Sequence, residues 1–131
     1  MNYVVLLGRV LFSFIFIVKA FGHFSKESVA YATLMGVPMP SILVPIAGII
    51  AFLGGVSILL GYKPKIGAIL IILFLVPTTF MMHKFWSTSD LYHAMMHEYC
   101  FMKNMAMIGA ALMISYFGTG PFSISKQNDR L

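Results

Sequence analysis

The residues of this chain that can do chemistry are few and stand on an apolar background. His93, His97 and Cys100 follow at i, i+4 and i+7, which puts two imidazoles and a thiol on one helix face. With Met95 and Met96 beside them, they could hold a soft or borderline metal ion. A fourth ligand is not evident, and interhelical hydrogen bonding explains two histidines four apart more simply, so no metal is assigned. Lys103 and Asn104 place an ammonium and an amide inside an apolar run. A lysine at the centre of a membrane helix costs about 2.5–3.5 kcal/mol, less near an end, and Glu98 or a bound anion could neutralise it. Arg9 and Lys19 each fall about 40° from His23 on opposite sides at 100° per residue, a basic stripe that Phe12 and Phe16 also line. That stripe suits an anion or a quinone carbonyl, although snorkelling to the interface accounts for Arg9 and Lys19 without any ligand. His83 lies four residues after Thr79 and just before Phe85 and Trp86.

The elements that hold these residues follow from composition. Of 131 residues, 60% are hydrophobic and only 10% are charged, against roughly 25% in an ordinary soluble domain. Thirteen charges cannot cover a soluble surface, so the chain is read as an integral membrane protein in a lipid bilayer. The net charge of +5 does not signal nucleic acid, because the nine Lys and Arg never cluster. The length allows one domain, residues 1–131, with four crossings of about 20 residues each. The expected helices run over 3–24, 41–61, 66–83 and 92–118, giving an all-α four-helix membrane bundle. Gly36-Val37-Pro38-Met39-Pro40 and Gly61-Tyr62-Lys63-Pro64-Lys65 punctuate the chain as turns. Pro77 should kink the third helix, with Thr78 and Thr79 at hand to bond the carbonyl it frees. The fourth helix must start near Tyr92 and carry Glu98 and Lys103, because the charge-free stretch before Gly118 is too short to span. In that helix His93, His97, Cys100, Asn104, Met107, Ala111 and Ser115 share an arc about 80° wide, which should face the bundle interior.

Four crossings put both termini on one side. Lys63, Lys65, Lys126 and Arg130 then face Lys26 and Lys84, so the positive-inside bias places N- and C-termini in the cytoplasm. All four histidines, Asp90, Glu98 and Cys100 gather toward the other side. Arg9 and Lys19 interrupt the first apolar run and no cleavage site follows it, so that run is read as a retained helix rather than a signal peptide. The polar ending Asn128-Asp129-Arg130-Leu131 matches no lipidation signal. Cys100 is the sole cysteine, which leaves no intrachain disulfide or CxxC pair for dithiol chemistry.

Six short motifs in order carry a family resemblance. They are Gly8-Arg9-Val10-Leu11-Phe12 with Phe21-Gly22-His23-Phe24; the G-x-P-x-P of Gly36–Pro40; and Leu53-Gly54-Gly55 through Leu60-Gly61. His83-Lys84-Phe85-Trp86, Lys103-Asn104 through Gly109, and the G-x-G-x-x-S of Gly118–Ser123 complete the set. Together they resemble the DoxX-like small membrane proteins over nearly the whole chain. Many relatives carry a glutamate where Ala51 stands, and a closing Ser-Leu-Asp where this chain has Ser123-Ile124-Ser125. The resemblance implies a four-helix protein of the bacterial plasma (inner) membrane. The family is named after membrane subunits associated with quinol oxidation and with thiosulfate:quinone oxidoreduction, and its bacterial members are linked to quinone or thiol stress and to partner redox proteins.

The reading that joins these lines is a redox-associated membrane component that binds a quinone or similar amphipathic molecule and works with partner proteins. Its interior-facing site set is Arg9, Lys19, His23, His83, His97, Lys103 and Asn104, beside Phe85 and Trp86. A histidine or Lys103 would bond a quinone carbonyl while the aromatic rings pack against its ring. The alternative is a non-enzymatic small-solute or proton-coupled transporter, or a membrane scaffold in a stress-response complex. No catalytic residue is assigned, and self-association is left open.

Overall fold

Inside a bilayer every backbone N–H and C=O must find a partner within the protein, and long runs of Leu, Ile, Val and Phe can meet that demand only as helices. A computed structural model describes residues 1–125 of the chain. It contains α1 (Asn2–Ala20), α2 (Lys26–Leu34), α3 (Pro40–Leu60), α4 (Pro64–Met82) and α5 (Leu91–Phe117). Single 3₁₀ turns follow α1 (Phe21–Phe24) and α4 (Phe85–Ser87). With those turns included, α1, α3, α4 and α5 are each long and apolar enough to cross a membrane. The tail residues Lys126, Arg130 and Asn128–Leu131, used above for topology and targeting, lie outside the described residues.

Helix starts follow the local chemistry. Pro40 and Pro64 open α3 and α4 at the position where a missing N–H costs nothing. Asp90 caps α5, its Oδ2 accepting the His93 N–H at 3.0 Å. Helix α2 is the one element the sequence reading lacks. Its start is nevertheless marked: the Ser25 hydroxyl accepts the Ser28 N–H, Glu27 sits in the first turn, and Gly36 (φ 80°) follows its end. Nine weakly apolar residues give no periodic signal, so the caps alone mark this helix. Helix α4 runs unbroken through Pro77. Thr78 and Thr79 donate to the Phe74 and Leu75 carbonyls rather than to that of Leu73, the acceptor Pro77 leaves free, so the expected repair is not made by these hydroxyls.

Packing forms a row: α1 lies on α3, α3 on α4, and α4 on α5. Helices α1 and α5, at the ends of the row, share no comparable contact. The buried core is Phe16, Ile58, Ala68, Ile71, Leu75 and Ala111, to which Phe12, Phe74 and Met107 add. Glycines on α3 set the spacing. A Cβ on Gly54 would stand 3.0 Å from the Gly67 carbonyl oxygen and 2.9 Å from Ile71 Cδ1; one on Gly55 would stand 2.9 Å from Ile17 Cγ1 on α1. Helix α3 thus meets both neighbours through small residues, as helices must where lipid offers no hydrophobic drive for association. Outward-facing Leu11, Phe14, Leu73 and Met113 are exposed, as a lipid-covered surface requires.

Gly54→Val should overpack the α3–α4 contact and lower stability by about 1–3 kcal/mol. Gly109→Ala, where an added Cβ meets nothing within 4 Å, should leave stability unchanged or slightly raised. Unfolding temperatures in a neutral detergent compare the two variants.

Candidate functional site

The candidate residues divide between the two ends of the bundle. At the end that carries the N-terminus, Arg9 is only 6% exposed. Its Nη1 donates to the Thr119 carbonyl at 3.3 Å, the Pro121 carbonyl at 3.1 Å and Ser123 Oγ at 2.8 Å, while Nη2 donates to the Phe122 carbonyl at 2.9 Å. All four acceptors lie in the segment after α5, which Gly118 (φ 78°) and Gly120 (φ 75°) bend back over the bundle end. That strap is fastened further by Tyr3 stacking on Phe122 and by Ile124 and Ser125 N–H groups donating to the Leu60 and Gly61 carbonyls. Ser125 Oγ accepts the Lys63 N–H at the start of α4. Arg9 Nε and the Ser13 hydroxyl one turn along are buried without partners among the described residues. Arg9 is therefore a clasp, not a snorkelling anchor, while exposed Lys19 is placed as a snorkelling side chain would be.

At the opposite end, His83 at the end of α4 and His97 on α5 face each other, Nδ1 to Nδ1, at 3.4 Å. Two lone pairs cannot bond, so one Nδ1 carries a proton and donates to the other. In the neutral pair one ring then offers an Nε2–H donor and the other an Nε2 acceptor. Phe101 gathers the neighbouring rings, with Phe80, Phe85 and Trp86 at centroid distances of 5.5, 5.4 and 5.9 Å. His23 belongs to this end: Gly48 admits its Cβ against α3, its Nδ1–H donates to the Lys19 carbonyl at 3.1 Å, and its ring stands edge-on to Phe74 at 5.4 Å.

The α5 stripe points as expected over most of its length. Asn104 and Ala111 are buried, and His97, Cys100, Met107 and Ser115 are half-buried. His93 is exposed, its Nδ1 bonded to Asp90 Oδ2 at 2.6 Å. Lys103 and Trp86 are also exposed, so the interior-facing set loses both, and Lys19 with them. Glu98 forms no ion pair with Lys103 among the described residues. Nor do any three His, Cys, Asp or Glu side chains there converge as metal ligands, so His93, His97 and Cys100 are not assembled. Arg9 and His23 do share a helix face, but fourteen residues separate them by about 20 Å along the axis, too far for one site. Ser13 and Thr79, both fully buried, are polar core residues that the sequence marks only by lying one turn from Arg9 and from His83.

Arg9→Ala should cost about 1–3 kcal/mol by stranding the strap carbonyls, and should expose residues 118–125 to limited proteolysis. Arg9→Lys should fall between, because an ammonium cannot fork to both sides of the strap. Asp90 supplies a pH test. The His93 N–H, and then the His93 ring, hold its carboxyl below the usual aspartate value near 3.9. Its cap is therefore fully present above that value and is lost as pH falls through the lowered one. Amide exchange in the first turn of α5 should accelerate over that acid range, and Asp90→Asn should abolish the dependence.

Residues 4–84, which include all but the first two residues of α1, the whole of α2 to α4, and His83, match the DoxX family model. The chain is 25% identical to the inner membrane protein YqjF of Escherichia coli (strain K12), over 93% of this chain and 89% of that protein. It is 28% identical to the inner membrane protein YphA of the same organism, over 93% and 88%. No solved structure matches the chain. With the family match covering well over half its length and four helices able to span a bilayer, this chain belongs to the DoxX family of membrane proteins.

Proposed function

We propose that this DoxX-family protein is a redox-associated component of the bacterial inner membrane. In this reading it binds a quinone, or a comparable carbonyl-bearing amphiphile, at the His83–His97 pair and works with partner redox proteins. The inner-membrane placement draws on YqjF and YphA, both named as inner membrane proteins. Both termini would lie in the cytoplasm, since Lys63 and Lys65 flank the end of the bundle that holds them.

The observation that carries the reading is the 3.4 Å contact between the two imidazoles. A quinone carbonyl only accepts hydrogen bonds, whereas the hydroquinone hydroxyl donates one. A neutral imidazole pair bonded through Nδ1 offers one outward donor and one outward acceptor, and so serves both redox forms. Passing the shared proton between the Nδ1 atoms exchanges the two roles, which lets a proton taken up at one Nε2 be released at the other. Quinone reduction consumes protons as well as electrons; the pair would supply the protons and a partner protein the electrons. Phe85, Phe101 and Trp86 offer apolar faces for the ring, and Asn104 is a further buried polar group on the same face of α5 as His97.

A short-chain benzoquinone should raise the unfolding temperature of the detergent-purified protein. His83→Ala and His97→Ala should each weaken that binding by about tenfold. A wild-type protein that gains no stability from the quinone and purifies without one would end this reading.

A further inference from the structure

Helices α1 and α5 stand apart at the ends of the helix row, and beneath the strap they enclose a cavity of about 330 Å³. Gly8 and Phe12 of α1 face Ala110 and Met113 of α5 across it, and Thr119 forms its roof. The lining is apolar except at Arg9 and Thr119. Val5, Gly8 and Met113 are exposed, which leaves the cavity open sideways between the helices, toward lipid.

Arg9 makes this more than a packing gap. All four oxygens that its terminal nitrogens meet are neutral, and among the described residues no carboxylate pairs with it. Its Nε–H is unused. Among the described residues, a guanidinium away from water and surrounded by neutral acceptors has no counter-charge, and an anion in the adjoining cavity would provide one. Seven residues into α1, Arg9 lies about 10 Å from the helix start, closer to that end of the helix than to its middle. Pockets for small molecules run from about 300 to 1,000 Å³, and this one is at the small end, suited to a head and the first carbons of one chain.

We infer that this groove holds a single-chain acidic amphiphile, a free fatty acid drawn laterally from the bilayer. Its carboxylate accepts from Arg9, its first methylenes lie between Phe12 and Ala110, and the rest of the chain leaves past Gly8 and Met113 into lipid. This site is at the opposite end of the bundle from the His83–His97 pair and does not depend on the quinone reading.

Native mass spectrometry of the delipidated full chain in a maltoside detergent tests the assignment, with dodecanoate, dodecanol and phosphatidylglycerol as probes. One dodecanoate should bind per chain, with dodecanol bound about tenfold more weakly for want of the charge-assisted contact. Arg9→Gln should erase that preference. Should Arg9→Gln fail to fold, Gly8→Leu decides: a Cβ there meets nothing within 4 Å, so the variant should fold as the parent does while its side chain fills the groove and blocks dodecanoate. His83→Ala should leave dodecanoate binding intact. Equal binding of dodecanol, undiminished binding to Gly8→Leu, or replacement of dodecanoate by phosphatidylglycerol overturns the inference.

Discussion

A charge held away from water inside an apolar bundle has to be surrounded by oxygen atoms, and in this protein the demand falls on Arg9. Its acceptors come from the segment after α5, folded back across the bundle end until three carbonyls and a hydroxyl reach the guanidinium. Much else at that end follows. Gly118 and Gly120 take left-handed conformations to make the return, Ser123 packs against Gly61 where a side chain could not fit, and Ser125 reaches the start of α4. The roof of the α1–α5 cavity is this same strap.

Away from Arg9, α3 organises the bundle. Its glycines bring α1 and α4 close enough for backbone carbonyls to lie beside the facing helix. This proximity brings Phe16 and Phe74 edge to face at 6.3 Å and seats His23 against α3 through Gly48. Helix α4 then aligns with α5 so that His83, the residue just after α4 ends, meets His97 less than two turns into α5. The histidine contact thus depends on small residues far from it, because they fix where α4 stands.

Where a property depends on composition or angle, the sequence was readable. The four long helices and the start of α5 near Tyr92 follow from apolar length, and a rotation of 100° per residue turns Asn104 and Ala111 inward, where they are buried. What failed was information that angle does not carry. Arg9 and His23 share a face yet lie at opposite ends. Lys103 neighbours buried Asn104 in sequence, but 100° of rotation turns it outward. His93 lies on the inward arc but sits in the first turn, where the capping carboxylate of Asp90 takes its ring. The Arg9 clasp was not legible because three of its four partners are backbone carbonyls, which every residue possesses; the G-x-G-x-x-S ending marked the place, and its serine the fourth partner, without revealing the contact.

The oxygens that surround Arg9 are supplied 110 to 114 residues after it in the chain. During synthesis the first helix therefore enters the membrane well before its guanidinium can be satisfied, and it must keep that side chain near the headgroups until α5 and the strap arrive. Closure of the clasp is thus a late event that requires all four long helices to be in place. A chain stalled or truncated before Gly118 would leave that guanidinium without any of these four oxygens, and the bundle end unfastened.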